Sequence, residues 1–158
     1  MKKKADSRLA DEAIDAPEWD YLYTETSVIP QAGLGLFTAI DIYAGEHIAE
    51  YTGRLLSDVE SDRLIAQGKD DYFLMLPDGR ILDAGGENKC AAAYANDARG
   101  IQRTAQRNNA FFDLTEDKRV VLVASRNIKA GSEILCAYGT RYWKKRGVKT
   151  SRKKFSEK

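Results

Sequence analysis

The sequence predicts a mainly β fold with short helices, organised as one domain with charged ends. Three observations predict it: short runs rich in β-branched and aromatic residues set apart by turn residues, a single clear helix-start signature, and a seven-residue pattern that occurs twice. A chain of 158 residues is long enough for one ordinary domain and too short for two, and its 43% hydrophobic content is enough for a packed core.

Residues 5–18 have helical composition that ends at Pro17, and Trp19 to Ile29 turn to strand-forming Tyr, Thr, Val and Ile. The domain boundary is placed there, giving an N-terminal arm over 1–18, a folded domain over 19–143 and a basic tail over 144–158. After Pro30, Gln31-Ala32-Gly33-Leu34-Gly35-Leu36-Phe37 reads as a glycine-bracketed turn entering an apolar strand, on its own a tight hairpin. Ile42-Tyr43-Ala44-Gly45-Glu46-His47-Ile48 then matches Ile128-Lys129-Ala130-Gly131-Ser132-Glu133-Ile134 in the pattern Ile-x-Ala-Gly-x-x-Ile. A glycine at the fourth place fits a turn with positive φ, so two similar corners are expected, each leading towards a tyrosine, Tyr51 and Tyr138.

Ser57-Asp58-Val59-Glu60 is a capping box that starts a helix, and Gly68 is its stop. A hairpin follows, Tyr72 to Leu76 and Ile81 to Asp83 around Pro77-Asp78-Gly79-Arg80. Asn88 to Ala95, with four alanines, predicts a second short helix ending at Asn96. A last hairpin joins Phe111–Leu114 to Val120–Ala124.

Several chemistries are disfavoured by what the sequence holds. Cys90 and Cys136 have no second Cys or His at metal-ligand spacing, so structural zinc is not expected. His47 is the only histidine, and no glycine loop ends in Lys and Ser/Thr, which argues against a histidine-based hydrolase and a P-loop phosphotransferase. No run approaches the roughly 18 apolar residues of a membrane helix, and Met1-Lys2-Lys3-Lys4 begins no apolar leader, so a soluble, unsecreted protein is expected. Net charge is +1, but residues 141–158 hold nine of the 25 basic residues and one of the 24 acidic ones, a balance of +8 (9 − 1) against −7 (16 − 23) elsewhere. An acidic body suits a cationic substrate. The basic tail suits nucleic acid, an import receptor or an acidic protein face, or is simply solvated.

Six short motifs in order resemble the SET-domain protein-lysine methyltransferases across about residues 22–143. Gly33-Leu34-Gly35-Leu36-Phe37 resembles the family's first cofactor loop, and Glu50-Tyr51-Thr52-Gly53 its Glu-Tyr-x-Gly strand end. Asp71-Tyr72-Phe73 and Ile81-Leu82-Asp83-Ala84 resemble the central hairpin. Tyr94-Ala95-Asn96 with Asn109 resembles the Asn-His motif region, and Glu133-Ile134-Leu135-Cys136-Ala137-Tyr138-Gly139 with Tyr142-Trp143 the terminal Tyr-Gly motif. Asp97 stands where the family has histidine, Ala98-Arg99 replace Ser-Cys, Ile101 to Arg107 are inserted, and the cysteine-rich zinc tail of many members has no counterpart.

The resemblance implies a β-clip of several small sheets with a C-terminal pseudoknot, using S-adenosylmethionine, releasing S-adenosylhomocysteine and needing no metal. It implies methyl transfer to a lysine ε-amine, with Tyr138 as the central catalytic tyrosine and Tyr51 on the channel wall. Gly33, Leu34, Gly35, Tyr72, Asn96, Asp97, Tyr138 and Trp143 are carried over to the donor site, and Tyr51, Cys136 and Tyr138 to the lysine channel. Such chemistry needs a neutral amine in a desolvated tunnel, which tyrosines and carbonyls can supply. A histone tail is the leading substrate, with a non-histone basic protein or a catalytically inactive peptide-binding module as alternatives. Localisation is nuclear if the source is eukaryotic, from Lys144-Lys145-Arg146 and Arg152-Lys153-Lys154, and otherwise cytoplasmic.

Overall fold

A computed structural model describes residues 14–76, 79–99 and 105–137, and these form a mainly β fold of small antiparallel sheets with little helix. The expected basic tail, Tyr138 and Trp143 lie outside the described residues.

The chain enters through a short helix α1 (Glu18–Tyr21), whose N-cap is Pro17 and whose first turn carries Glu18 and Asp20. A proline needs no amide partner at a helix start, and the two carboxylates favour that end of the dipole. The strand predicted to begin at Trp19 therefore begins later, as β1 (Leu22–Thr26). It pairs with β2 (Leu34–Thr38) in the register Tyr23 to Phe37, whose rings stack 5.6 Å apart. The connection is a loop over 27–33 rather than a tight turn, with Gln31 and Gly33 both at positive φ.

Three three-stranded sheets build the body. In the first, β2 lies between β1 and β9 (Glu133–Ile134). In the second, β8 (Val120–Ala124) lies between β3 (His47–Glu50) and β7 (Ala110–Leu114). In the third, β6 (Ile81–Asp83) lies between β4 (Arg54–Leu56) and β5 (Phe73–Met75). Every residue of β8 is buried, which is why Val120 to Ala124 read as an unbroken apolar run instead of an alternating one. The helix α2 (Asp58–Ala66) has the predicted capping box, with the Glu60 amide donating to Ser57 Oγ at 3.1 Å and the Ser57 amide donating to Glu60 Oε1 at 3.2 Å. Gly68 ends it at φ +73.

The repeated pattern has a structural counterpart: the two corners pair with each other. Ile42 and Ile128 exchange both backbone hydrogen bonds, at 2.8 and 2.7 Å. Ala44 donates to Asn127 Oδ1 and Ala130 to Asp41 Oδ1, each at 2.9 Å. Gly45, at φ +93, donates to the Ala124 carbonyl, while Gly131, at φ +88, donates to the Thr38 carbonyl. Each contact has its mate with the two units exchanged, which is local two-fold symmetry. Ile42, Ile48, Ile128 and Ile134 are all buried, so the isoleucines of the pattern clamp the sheets from within.

Asn88 to Ala95 depart from the predicted helix and form only a 3-10 turn, Ala91–Tyr94. Ala91, Ala92 and Ala93 are buried, and the chain turns extended at Ala95 so that Asn96 can pair with Leu135 in a parallel bridge. Tertiary pairing outweighs alanine's helix preference here.

Candidate functional site

The first half of the site is the loop before β2 and what lies beneath it. Ser27 donates its amide to the Gly33 carbonyl at 2.7 Å, closing the loop. Gly33 needs no side chain for its φ of +75, and a Cβ there would meet nothing within 4 Å, so the backbone is open to an approaching molecule. At Gly35 the reverse holds. A Cβ would collide with the carboxylate of Glu133, which lies against the bare backbone. Ile29, Ala98 and Leu135 form a small apolar cluster under this loop.

Asn96 joins these parts. Its Nδ2 donates to the Leu34 carbonyl at 2.9 Å and lies 3.4 Å from Glu133 Oε2, while its main-chain carbonyl accepts the Cys136 amide at 2.8 Å. Glu133 is 6% exposed and also accepts the Ser27 hydroxyl at 2.6 Å and the Val28 amide at 2.8 Å. The strand over 133–136 is held on its other side by Asn109, whose Oδ1 accepts the Leu135 amide at 2.8 Å and whose Nδ2 donates to the Glu133 carbonyl at 3.0 Å. Parallel bridges Asn96 to Leu135 and Ala110 to Cys136 therefore flank it on both sides. This strand is enclosed between the two ends of the 97–108 connection.

Asp97, 3% exposed, turns its carboxylate to that connection: Oδ1 accepts the Arg99 amide at 2.9 Å and Asn108 Nδ2 at 3.1 Å. Asn108 Oδ1 in turn accepts the Ala98 amide at 2.8 Å. The aspartate thus closes the base of the inserted segment, and its bond to Arg99 is to the main chain.

The second half is a cavity of about 40 Å³ lined by Tyr51, Asp71, Tyr72, Ala93, Ala95 and Phe112, among others, and Cys136, expected in the lysine channel, is not part of its wall. Tyr51 donates its hydroxyl to the Tyr72 carbonyl at 2.7 Å and meets the Phe112 ring edge-on at 5.2 Å. Burial pushes the Tyr51 hydroxyl pKa far above its ordinary value, helped by the nearby Cys90, Cys136 and Asp83. Cys136 is fully buried, and burial followed by the Asp97 charge raises its thiol. Both groups stay neutral around pH 7. Lys89 Nζ sits 4.9 Å above the Tyr72 ring.

Of the residues singled out in the sequence, Gly33, Leu34, Gly35 and Asn96 come together at the loop, and Tyr51 and Tyr72 at the cavity. The segment 91–97 joins the halves, since Ala93 and Ala95 line the cavity and Asn96 bonds the loop. Tyr138 and Trp143 lie beyond the last described residue, Ala137. The sequence reading missed Phe112 as a wall residue, Asn108 as a clasp, and Glu133 as more than part of a motif. A lone carboxylate heading the apolar run Ile134-Leu135-Cys136 was the available signal. Among the described residues no group of three His, Cys, Asp or Glu could hold a metal ion, and no helix is long and apolar enough to cross a membrane.

The SET domain family model matches residues 33–139. The H3 lysine-36 specific histone-lysine N-methyltransferases of Mus musculus and Homo sapiens are each 34% identical over 115 residues, which is 68% of this chain and 4% of theirs. The histone-lysine N-methyltransferase EZH2 of Chaetomium thermophilum is 31% identical over 126 residues, 73% of this chain and 8% of its own. The chain therefore spans only a small part of these relatives. With the matched region running from Gly33 through β9 and so including Asn96, Tyr51 and Glu133, the chain belongs to the SET-domain family.

Proposed function

We propose that this chain is a protein-lysine N-methyltransferase that uses S-adenosylmethionine and acts on a basic protein, a histone tail first among them. The observation that carries the proposal is the division of the site by the 91–97 segment, with an open glycine loop and Asn96 on one side and a tyrosine-lined, largely apolar cavity on the other. S-adenosylmethionine supplies an electrophilic methyl on a sulfonium, and the residues present fit it: the bare backbone at Gly33 admits close approach, and the loop and Asn96 are rich in polar groups. Gly33, Leu34, Gly35, Asn96 and the main chain of Asp97 would hold it, with Trp143 packing nearby, whereas Tyr72, expected at the donor, lies with Tyr51 at the cavity.

The chain's own part in the reaction is to bind, orient and exclude water. Tyr51, held neutral by burial, and the apolar side chains of Leu74, Ala93, Ala95 and Phe112 disfavour an ammonium inside the cavity, with Asp71 exposed at its rim, so the target lysine gives up its proton to solvent before its lone pair attacks. The carbonyl groups and Tyr138 orient that lone pair. Tyr51 itself is committed to the Tyr72 carbonyl, so its role is to shape the channel wall. The relatives are histone-lysine methyltransferases, which supports a histone substrate. The acidic body and the basic clusters in 144–158 support a cationic substrate, a nucleic-acid contact through the tail and, in a eukaryote, a nuclear location.

The test is calorimetric titration with S-adenosylmethionine followed by transfer to histone peptides. Micromolar binding that weakens at least tenfold in Asn96→Ala, and transfer that is lost in a folded Tyr138→Phe variant, are the expected results. A folded chain that binds no donor refutes the proposal and leaves the inactive peptide-binding module.

A further inference from the structure

We propose that Glu133 is a positioning residue of the donor site, its buried carboxylate setting which end of the Asn96 amide faces the loop; this rests on the chain binding S-adenosylmethionine. The carboxylate accepts from three donors on two segments, the Ser27 hydroxyl and the Val28 amide of one and Asn96 Nδ2 of the other. All three donors are neutral, and burying a carboxylate among neutral donors is costly compared with burying a neutral residue of the same size. The equivalent place in the first repeat is held by His47, which is only half-buried and makes no such network among the described residues. Packing alone therefore does not explain a carboxylate at this position.

An ionised carboxylate differs from every other group of that size in being acceptor-only. The amide of Asn96 lies between two acceptors, the Leu34 carbonyl and Glu133 Oε2, so only its Nδ2 end can face them. Its Oδ1 is thereby turned the other way. Gly35 completes the device, because any larger residue would displace the carboxylate from beneath the loop. A glutamine at 133 would keep the volume but put an NH₂ against the Ser27, Val28 or Asn96 donors. The preference that fixes the Asn96 amide would be lost, and the packing would survive.

The experiment is a cycle of calorimetric titrations with S-adenosylmethionine on the parent, Glu133→Gln, Asn96→Ala and the double variant, each checked for folding by circular dichroism and thermal melting. In folded Glu133→Gln the donor Kd is expected to rise tenfold or more, whereas the same change in the Asn96→Ala background should move it less than twofold. A residue that merely stabilises the fold would lower the melting temperature and leave the Kd of folded molecules unchanged. A Kd within twofold of the parent in Glu133→Gln, or an equal effect in both backgrounds, overturns the inference while the methyltransferase reading stands. If Glu133→Gln fails to fold, Ser27→Ala, which removes one donor from the carboxylate, is expected to raise the Kd at least threefold, and no change overturns the inference. A parent that binds no donor overturns both.

Discussion

Removing one buried hydroxyl tests how the body of the domain carries β3 and, through it, Tyr51. Tyr21 is 4% exposed and donates to the Ile48 carbonyl at 2.6 Å, a bond between α1 and an edge strand 27 residues away. Its pKa is pushed up to about 12, first by burial and then by the Glu18 and Glu46 charges. At neutral pH Tyr21→Phe removes the bond and leaves the Ile48 carbonyl unpaired on that side, at a cost of about 1–2 kcal/mol. That advantage of the parent then shrinks as pH rises. In the unfolded chain the phenol ionises near pH 10, whereas in the folded chain it stays protonated to about 12, so the parent's stability is complete below pH 10 and falls above it. The loss is about 1.4 kcal/mol by pH 11, and Tyr21→Phe does not suffer it. Urea denaturation of parent and variant at pH 8, 10 and 11 should show the stability gap closing by roughly that amount. A gap that stays constant from pH 8 to 11 refutes the raised pKa and the burial argument behind it, and the absence of a gap at pH 8 refutes the contribution of the bond.

Three further outcomes are expected. Ser57→Ala removes the capping oxygen from α2 and should cost about 1 kcal/mol, read as a melting-temperature drop of about 3 °C with a small loss of helical dichroism. Leu122→Ala leaves a hole in the central strand of the second sheet, where Leu122 is fully buried, and should cost about 3 kcal/mol in denaturant unfolding. Asp97→Ala strands the Arg99 amide and Asn108 Nδ2 and should cost about 2 kcal/mol, whereas Asp97→Asn, which keeps an acceptor there, should cost less than about 1.

Features governed by a few neighbouring residues were legible in advance. The Ser57 and Glu60 cap, the hairpin of β7 and β8 and the positive φ of Gly45 and Gly131 each depend on contacts within one turn or one strand pair. The loop at Gly33 and the Asn96 partner were legible as a resemblance, through motif order. Where local preference met long-range pairing, the sequence reading failed: four alanines predicted a helix, but burial of Ala91 to Ala93 and the bridge at Asn96 left only a 3-10 turn. The first strand likewise started late because Pro17 opens a helical turn.

By itself the sequence determined that the chain is mainly β, that it carries two copies of one corner, and that its ordered motifs belong to one family. These follow from residue type and spacing, which act over a few bonds. Only the tertiary structure decided that the two corners clasp each other, that Asp97 locks the inserted segment, and that the Glu133 carboxylate gathers donors from residues 27, 28 and 96 beneath Gly35. Such contacts join residues from 11 positions apart, as between Asp97 and Asn108, to 106, as between Ser27 and Glu133. Their partners are selected by what the packed core brings within 3 Å, and no local pattern of apolar or polar residues encodes that choice.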